Sequence, residues 1–474
     1  MAGRSGGLAR RSWLTRAFAA FAASALIFVG FLQEAGAAPA LQSKLSVERS
    51  SLYRGETRTL YVLVHFNAPE LDLPPSARPP LNLSLVLDRS GSMADKGKME
   101  YLKQAAKMAV SQLGGRDTIS VVEFDDQITL MWQAGPAGDK SRLLTMIDNL
   151  SPRGSTNIAG GLTRGIGETH SGRDRLKLGR DTLDRVILLS DGLANTGVTD
   201  PGAIAHIAAD ARRDGIHVSS IGLGLDYNED LMQAVAEAGG GKYYYVESPV
   251  QLASIFQQEL KSAFATRARD VHLSFHGNNA VKRAEMIGFA ASNGRDVTAD
   301  WPDFYAGEER SVMLRLEVDA RKVGALSLGD FHVAWRDAQS GASGTVTLPI
   351  RVDVTNDEAI ADKSLNHDVA AQAALAESER GLAANVKLAG AGKTSEARAA
   401  NAAIIADLKK RNSTLNDERL SRKIEALNVE QDQISNAAAS PVAMQAYQKA
   451  SKQRLYNAKS GRRSGDALQL GDKG

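Results

Sequence analysis

The centre of this 474-residue chain predicts an α/β fold, doubly wound around a mostly parallel sheet, followed by an antiparallel β-sandwich and a C-terminal helical region. Three observations lead there. Between residues 81 and 264 short apolar runs alternate with polar loops and helical patterns, as strands buried on both faces by helices do. From about Arg267 to Val354 only strand-like text remains, and after Asn356 the composition turns to Ala, Lys, Glu and Asn at helical spacing. Hydrophobic residues at 43% and charged residues at 24% are the balance of a chain that folds, and its length calls for more than one structural unit.

The opening has three parts: Arg4, Arg10, Arg11 and Arg16, then the apolar run Ala17 to Leu32, then the small residues from Ala35 to Ala40. That order predicts a secretory signal peptide over residues 1–37, cut after Ala37 or Ala40, and hence a periplasmic or secreted mature protein. Arg10-Arg11-Ser12-Trp13-Leu14 resembles a twin-arginine export signal, with Trp where Phe is commoner, so the route stays open. An uncleaved anchor is the alternative, opposed by the shortness of the apolar run. Without these residues the chain is nearly neutral and has no field for collecting nucleic acid. There is no cysteine, which excludes disulfides, thiolate metal sites, a cysteine nucleophile and a lipoprotein anchor. No later segment is long and apolar enough to span a membrane, so none is expected after signal cleavage.

Residues 38–80 hold two alternating stretches between Leu45 and Phe66, with Arg54-Gly55 as a turn, and then the link Leu73-Pro74-Pro75 through Pro79-Pro80. Two strands cannot bury a face alone, so they are expected to join the β domain of residues 265–355, leaving the α/β unit (81–264) as an insertion. Within that unit Leu83 to Leu87, Ile119 to Val122, Val186 to Leu189, Ile216 to Leu223 and Tyr243 to Val246 read as strands. Helices fit Lys98 to Leu113, Ser141 to Leu150, Ile158 to Gly167, Pro201 to Arg213, Glu229 to Ala238 and Val250 to Ser262. The β domain offers His272 to Phe275, Ser311 to Val318, Phe331 to Trp335 and Thr345 to Ile350. Breaks at Gly390-Ala391-Gly392, Asn412-Ser413 and Ser440-Pro441 divide residues 356–456 into three or four short helices, which pack on the β domain or bind a partner helix; residues 457–474 read as an unstructured tail.

Directly after the first buried strand comes Asp88-Arg89-Ser90-Gly91-Ser92-Met93, a carboxylate and two hydroxyls at every second position. A tight loop can turn all three inward, and magnesium takes oxygen ligands of this kind. Thr156 opens a helical pattern in Gly154-Ser155-Thr156-Asn157-Ile158, and Asp191 follows the strand that ends at Ser190. All five groups fall where strands end and loops begin, the ligand-binding edge of a doubly wound sheet.

Asp-x-Ser-x-Ser, then a Thr opening a helix, then an Asp after an apolar strand resembles the metal-ion-dependent adhesion site of von Willebrand factor A domains. The resemblance covers about residues 81–264, and the wider text is similar to bacterial secreted A-domain proteins related to inter-alpha-trypsin inhibitor heavy chains. It implies one divalent ion, Mg²⁺ or else Mn²⁺ or Ca²⁺, at Asp88, Ser90, Ser92, Thr156 and Asp191. The serines and threonine would bind it directly, the aspartates partly through water, with one position left for an Asp or Glu of a protein partner. An ion held largely by neutral oxygens keeps positive charge to spend on such a carboxylate.

Other features stay outside the expected site. Asp95 could serve a second calcium site of the integrin type, but beside Lys96 and Lys98 it reads as a solvated carboxylate. Gly222-Leu223-Gly224-Leu225 lacks the lysine of a phosphate cradle and reads as a turn, while Gly239-Gly240-Gly241 ends a helix. His272 and His276 share a strand face with no third ligand beside them in sequence, and read as ordinary histidines. The expected function is therefore an adhesion or assembly module and not an enzyme. A metal-dependent hydrolase using the same ion is the alternative, opposed by the lack of a His or Glu near the five ligands. A chelatase-type partner of an ATPase is opposed by the signal peptide and by the absence of a phosphate-binding loop.

Overall fold

The structure is a computed structural model that describes residues 40–70, 79–179, 182–191, 194–223, 228–246, 255, 265–289 and 294–459. The signal peptide, the proline link from Leu73 to Arg78, most of the helix expected over Val250 to Ser262 and the tail from residue 460 lie outside these. In chain order the strands before the α/β unit are β1 (Gln42–Val47), β2 (Ser51–Tyr53) and β3 (Gly55–Asn67). The α/β unit runs β4 (Leu81–Asp88), α1 (Lys98–Gln112), β5 (Thr118–Phe124), β6 (Ile128–Pro136), α2 (Ser141–Asp148), α3 (Ile158–Leu176), β7 (Leu183–Ser190), α4 (Pro201–Arg213), β8 (Ile216–Leu223), α5 (Glu229–Ala238) and β9 (Gly240–Val246).

Its sheet has the order β6-β5-β4-β7-β8-β9, and every neighbouring pair is parallel except β5 with β6. Strands β4, β7 and β8 are buried along their whole length, which is why they read as continuous apolar runs. From β4 the chain crosses to β5 on one side and later to β7 on the other, so the order reverses at β4. A crevice therefore opens beyond the carboxyl ends of β4 and β7, the place where such sheets take ligands.

Within the α/β unit two elements differ from the sequence reading. Edge strand β6 is half exposed, so its text lacks the apolar run that marks its neighbours. Helix α3 continues past Gly167 to Leu176, because the face it buries there carries Glu168, Thr169 and Gly172 in place of apolar residues.

The remaining strands are β10 (Thr266–Gly277), β11 (Val281–Met286), β12 (Asp296–Trp301), β13 (Phe304–Tyr305), β14 (Glu309–Ala320), β15 (Gly324–Asp337) and β16 (Ser343–Thr355). Two sheets form, β1-β3-β14-β11 and β12-β10-β15-β16-β2, the second with β13 beside β10. Strand β3 pairs with β14 from Asn67↔Glu309 to Gly55↔Ala320, so strands from both sides of the α/β unit share one sandwich. Its core joins Phe66, Phe275, Phe304 and Phe331 to Trp301, whose ring meets Phe66 edge-on at 5.2 Å.

The helical region comprises α6 (Glu358–Lys363), α7 (His367–Gly390), α8 (Thr394–Leu415), α9 (Glu418–Ala437) and α10 (Pro441–Lys459). Four of these are long, where short ones were expected. Asn412 does not break α8, because its side chain instead accepts from the Asp417 amide at 2.7 Å and caps the turn beyond, where Asn416 takes φ 49°. Helix α7 lays Val369 and Ala373 on Tyr61, Leu63 and Met313 of the outer sandwich face, and Tyr61 donates to Glu377 at 3.0 Å. Helix α10 reaches the α/β unit: Lys449 and Lys452 pair with Glu229 at 3.0 and 2.9 Å, and the Tyr456 ring meets Tyr243 edge-on.

The sandwich holds the α/β unit at the opposite end of its sheet from the crevice. Arg185 and His217, near the starts of β7 and β8, face Asp303 at 2.6 and 3.4 Å, and Lys242 lies over the Tyr305 ring at 3.9 Å. The crevice edge is left clear of this joint.

Candidate metal centre

Strand β4 ends at Asp88, and the chain passes Ser90 into a 3-10 helix over Gly91–Gly97, which carries Ser92, before α1 begins. Asp88 is buried, with Oδ1 accepting the Ser90 amide at 2.8 Å and Oδ2 accepting the Ser190 hydroxyl at 2.5 Å. The Ser90 and Ser92 hydroxyls lie 3.2 Å apart, and Ser92 Oγ donates to Asp191 Oδ1 at 2.8 Å. Asp88, Ser90, Ser92 and Asp191 thus form one hydrogen-bonded chain across the carboxyl ends of β4 and β7. Asp88, Ser90 and Asp191 are buried, whereas Ser92 is exposed and marks the mouth.

Thr156 sits on the neighbouring loop, also buried. The main chain binds this loop to the first: the Gly91 amide donates to Gly154 O at 3.1 Å and the Arg153 amide to Arg89 O at 2.7 Å. Gly154 makes the close approach possible, with φ 68° and no room for a Cβ, which would lie 2.0 Å from Asp126 Oδ1. The Thr156 amide in turn donates to Asn195 Oδ1 at 2.7 Å, and Thr156 O accepts the Asn195 amide at 3.1 Å. No hydrogen bond links the Thr156 hydroxyl to the other four residues among the described residues; its place beside them is set by the loop. Asp95 is exposed and stands apart.

The electrostatics favour a cation. Burial pushes the Asp88 carboxyl up to about 6, and the Asp191 charge adds to this, against the hydrogen bonds from Ser190 and Ser90. Lys98, the first residue of α1 and itself buried, places Nζ 2.5 Å from Asp191 Oδ2. Two carboxylates and one ammonium leave a single net negative charge. The hard oxygen donors, the low charge and the exposed serine at the mouth fit a divalent ion such as Mg²⁺, which tolerates hydroxyl and water ligands.

Lys98, Ser190 and Asn195 escaped the sequence reading. Ser190 adjoins Asp191 and could have been found there; Lys98 and Asn195 reach the site only through the fold. Arg153, which donates to Asp125 at 2.6 Å, and Arg89, paired with Glu123 at 2.9 Å, brace the two loops from outside.

The family model for the von Willebrand factor type A domain matches residues 82–258. The Escherichia coli protein YfbK is 28% identical over 253 residues, which cover 52% of this chain and 43% of that protein. A human inter-alpha-trypsin inhibitor heavy chain is 28% identical over 195 residues, 40% of this chain and 21% of its own length. The chain therefore spans less than half of either relative. Among solved structures, a von Willebrand factor type A protein from Catenulispora acidiphila superposes with a TM-score of 0.62 at 18% identity, over 85% of this chain and 91% of that one. That likeness extends over most of both chains and is one of fold.

Proposed function

With residues 82–258 a von Willebrand factor type A domain, we propose that the chain is an exported, metal-dependent protein-binding module rather than an enzyme. The ion would be held by Asp88, Ser90, Ser92, Thr156 and Asp191. When bound, it supplies a positive charge that an Asp or Glu of a protein partner can meet. The observation that carries the proposal is the pair of buried carboxylates, Asp88 and Asp191, joined through serine hydroxyls at the carboxyl ends of β4 and β7.

The chain's own groups do the rest. Ser190 and the Ser90 amide fix the orientation of Asp88, while Ser92 and Lys98 fix Asp191. The net charge of the cluster changes from one negative to one positive when a divalent cation enters, so attraction for an acidic partner depends on the loaded state. The arginine-bearing, apolar and alanine-rich opening of the chain supports delivery to the periplasm or beyond. Among the described residues no helix is long and apolar enough to cross a membrane.

Capture from a cell-envelope extract on immobilised protein, with Mg²⁺ and again with EDTA, tests this reading. A partner retained with Mg²⁺ and lost with EDTA is the expected result. Thr156→Ala removes a neutral donor without changing charge, and should leave the protein folded while abolishing capture. Capture that survives both EDTA and Thr156→Ala would place the binding surface elsewhere.

A further inference from the structure

A cleft of about 1180 Å³ lies beside the joint, between the α/β unit and the sandwich, and is lined by three arginines from three elements: Arg212 of α4, Arg269 of β10 and Arg336 of β15. Strands β10 and β15 set Arg269 and Arg336 directly opposite each other. Opposed residues share a face of the sheet with Cβ atoms about 5 Å apart, and like charges there repel. A one-residue bulge follows: His272, three residues beyond Arg269, meets Ala334, only two before Arg336. Asp270 within the bulge has φ 52°, a left-handed conformation that costs a residue other than glycine. Bulges re-aim the side chains beside them and gather next to ligand sites.

The arginines on the wall differ in what they already hold. Arg173 and Arg213 are spent on Asp184 and Asp210. Arg212 donates one N–H to Trp301 O at 3.2 Å, while Arg336 Nε stands 3.8 Å from Asp270, too far for a hydrogen bond. Arg269 makes no hydrogen bond or ion pair among the described residues, and its Nε is buried without a partner. Burial pushes its guanidinium below the usual arginine range, Arg185 and Arg336 adding to this against Asp303 and Asp270. The nearby carboxylates leave this charge unanswered. Arg185 holds Asp303 at 2.6 Å, and the exposed Asp214 and Asp300 stand by His170 and His272 at 3.4 and 2.7 Å.

We propose that this cleft binds a phosphate group carried on a small polar molecule, held by Arg269 and Arg336 of the sandwich and Arg212 of the α/β unit. The planar guanidinium fork matches phosphate oxygens two at a time, and a phosphate between Arg269 and Arg336 answers their repulsion. The volume exceeds what the phosphate alone fills. The rest of the wall is small or polar, with no Phe, Tyr or Trp among its described residues, which suits a hydroxyl-bearing body such as a sugar. Because Arg212 belongs to the other unit, the bound group would also tie the α/β unit to the sandwich.

Calorimetry of the full chain in EDTA, which leaves the Asp88–Asp191 centre without an ion, tests this with inorganic phosphate, glucose 6-phosphate and glucose as probes. Wild type and Asp191→Ala should bind glucose 6-phosphate alike, phosphate should compete with it more weakly, and glucose should not bind. Arg269→Gln and Arg336→Gln should each lower affinity about tenfold or more, the scale of a lost charge-assisted hydrogen bond. Arg336 is exposed, so its variant should fold whatever it does to binding. Melts give a second reading: glucose 6-phosphate should raise the melting temperature of wild type and leave that of Arg269→Gln/Arg336→Gln in place. Absence of phosphate and ester binding in wild type, undiminished affinity in both single variants, or binding lost in Asp191→Ala would each overturn the proposal. Phosphate bound as tightly as the ester would overturn the part that gives the group a carrier. An Arg269→Gln variant that loses stability but keeps its affinity would assign Arg269 to the Asp303 joint instead.

Discussion

Lys98 governs the balance of charge at the candidate centre. Its ammonium offsets Asp191 in a setting with little water to screen it, so Lys98→Met should leave a buried carboxylate without its cation and cost the metal-free protein about 3 kcal/mol. The same change should tighten Mg²⁺ binding, because the ion no longer shares Asp191 with a fixed positive charge. Thermal melts with and without Mg²⁺ check both effects; a variant destabilised equally in the two conditions would mean that Lys98 and the ion do not meet at Asp191. The sequence made Asp88, Ser90, Ser92, Thr156 and Asp191 legible through their order and their positions at strand ends. It did not make Lys98 or Asn195 legible, since their roles depend on distances across loops far apart in sequence.

At the scale of elements, strands buried on both faces declared themselves, and so did long alternating ones such as β14 and β16. Strands β4, β7 and β8 are buried along their whole length and keep apolar runs despite a few buried polar residues, whereas the partly exposed β6 and the short alternating β12 left weaker traces. The end of α3 was hidden for a related reason, its buried face there being polar or glycine. The loop carrying Gly154 is the element on which the centre most depends. Gly154→Ala forces a side chain into a left-handed backbone position and against Asp126, which should displace the loop from Gly91 and Arg89. The expected outcome is a fold that survives with a stability loss of about 1–3 kcal/mol and a marked loss of Mg²⁺ affinity, read by denaturant melts and calorimetry. Wild-type affinity in this variant would show that the Thr156 loop does not shape the centre.

Across the whole molecule, the joint between the α/β unit and the sandwich makes stability depend on acid. Burial pushes the His217 imidazole down to about 3, against the attraction of Asp303, so it stays neutral in the folded state. Burial opposes the charge on Asp303, but His217 and Arg185 hold its carboxyl below the usual range, with Arg185 as the cation it meets at neutral pH. Both groups are depressed, so both contribute stability at neutral pH that is lost on acidification. For His217 the loss starts as pH falls through its ordinary 6.5 and continues toward the folded value, with a slope approaching about 1.4 kcal/mol per pH unit. Melting temperature should therefore fall steadily from pH 7 to pH 4, and His217→Asn, which keeps a donor for Gly240 O but cannot titrate, should flatten the part of the curve below 6.5. A wild-type melting temperature that rises as pH falls over that range would contradict the assignment of a neutral His217.

The joint also bears on where the candidate centre can act, because Arg185, His217 and Lys242 make it near the starts of β7, β8 and β9, away from Asp88 and Asp191 at the carboxyl ends of β4 and β7. The central claim is that these carboxyl ends hold a divalent ion between Asp88 and Asp191, and calorimetric titration of Mg²⁺ into the full chain tests it most directly. Wild type should bind one ion, and Asp88→Ala and Asp191→Ala, each still folded by circular dichroism, should bind it far more weakly or not at all; equal Mg²⁺ binding in wild type and both variants would contradict the account.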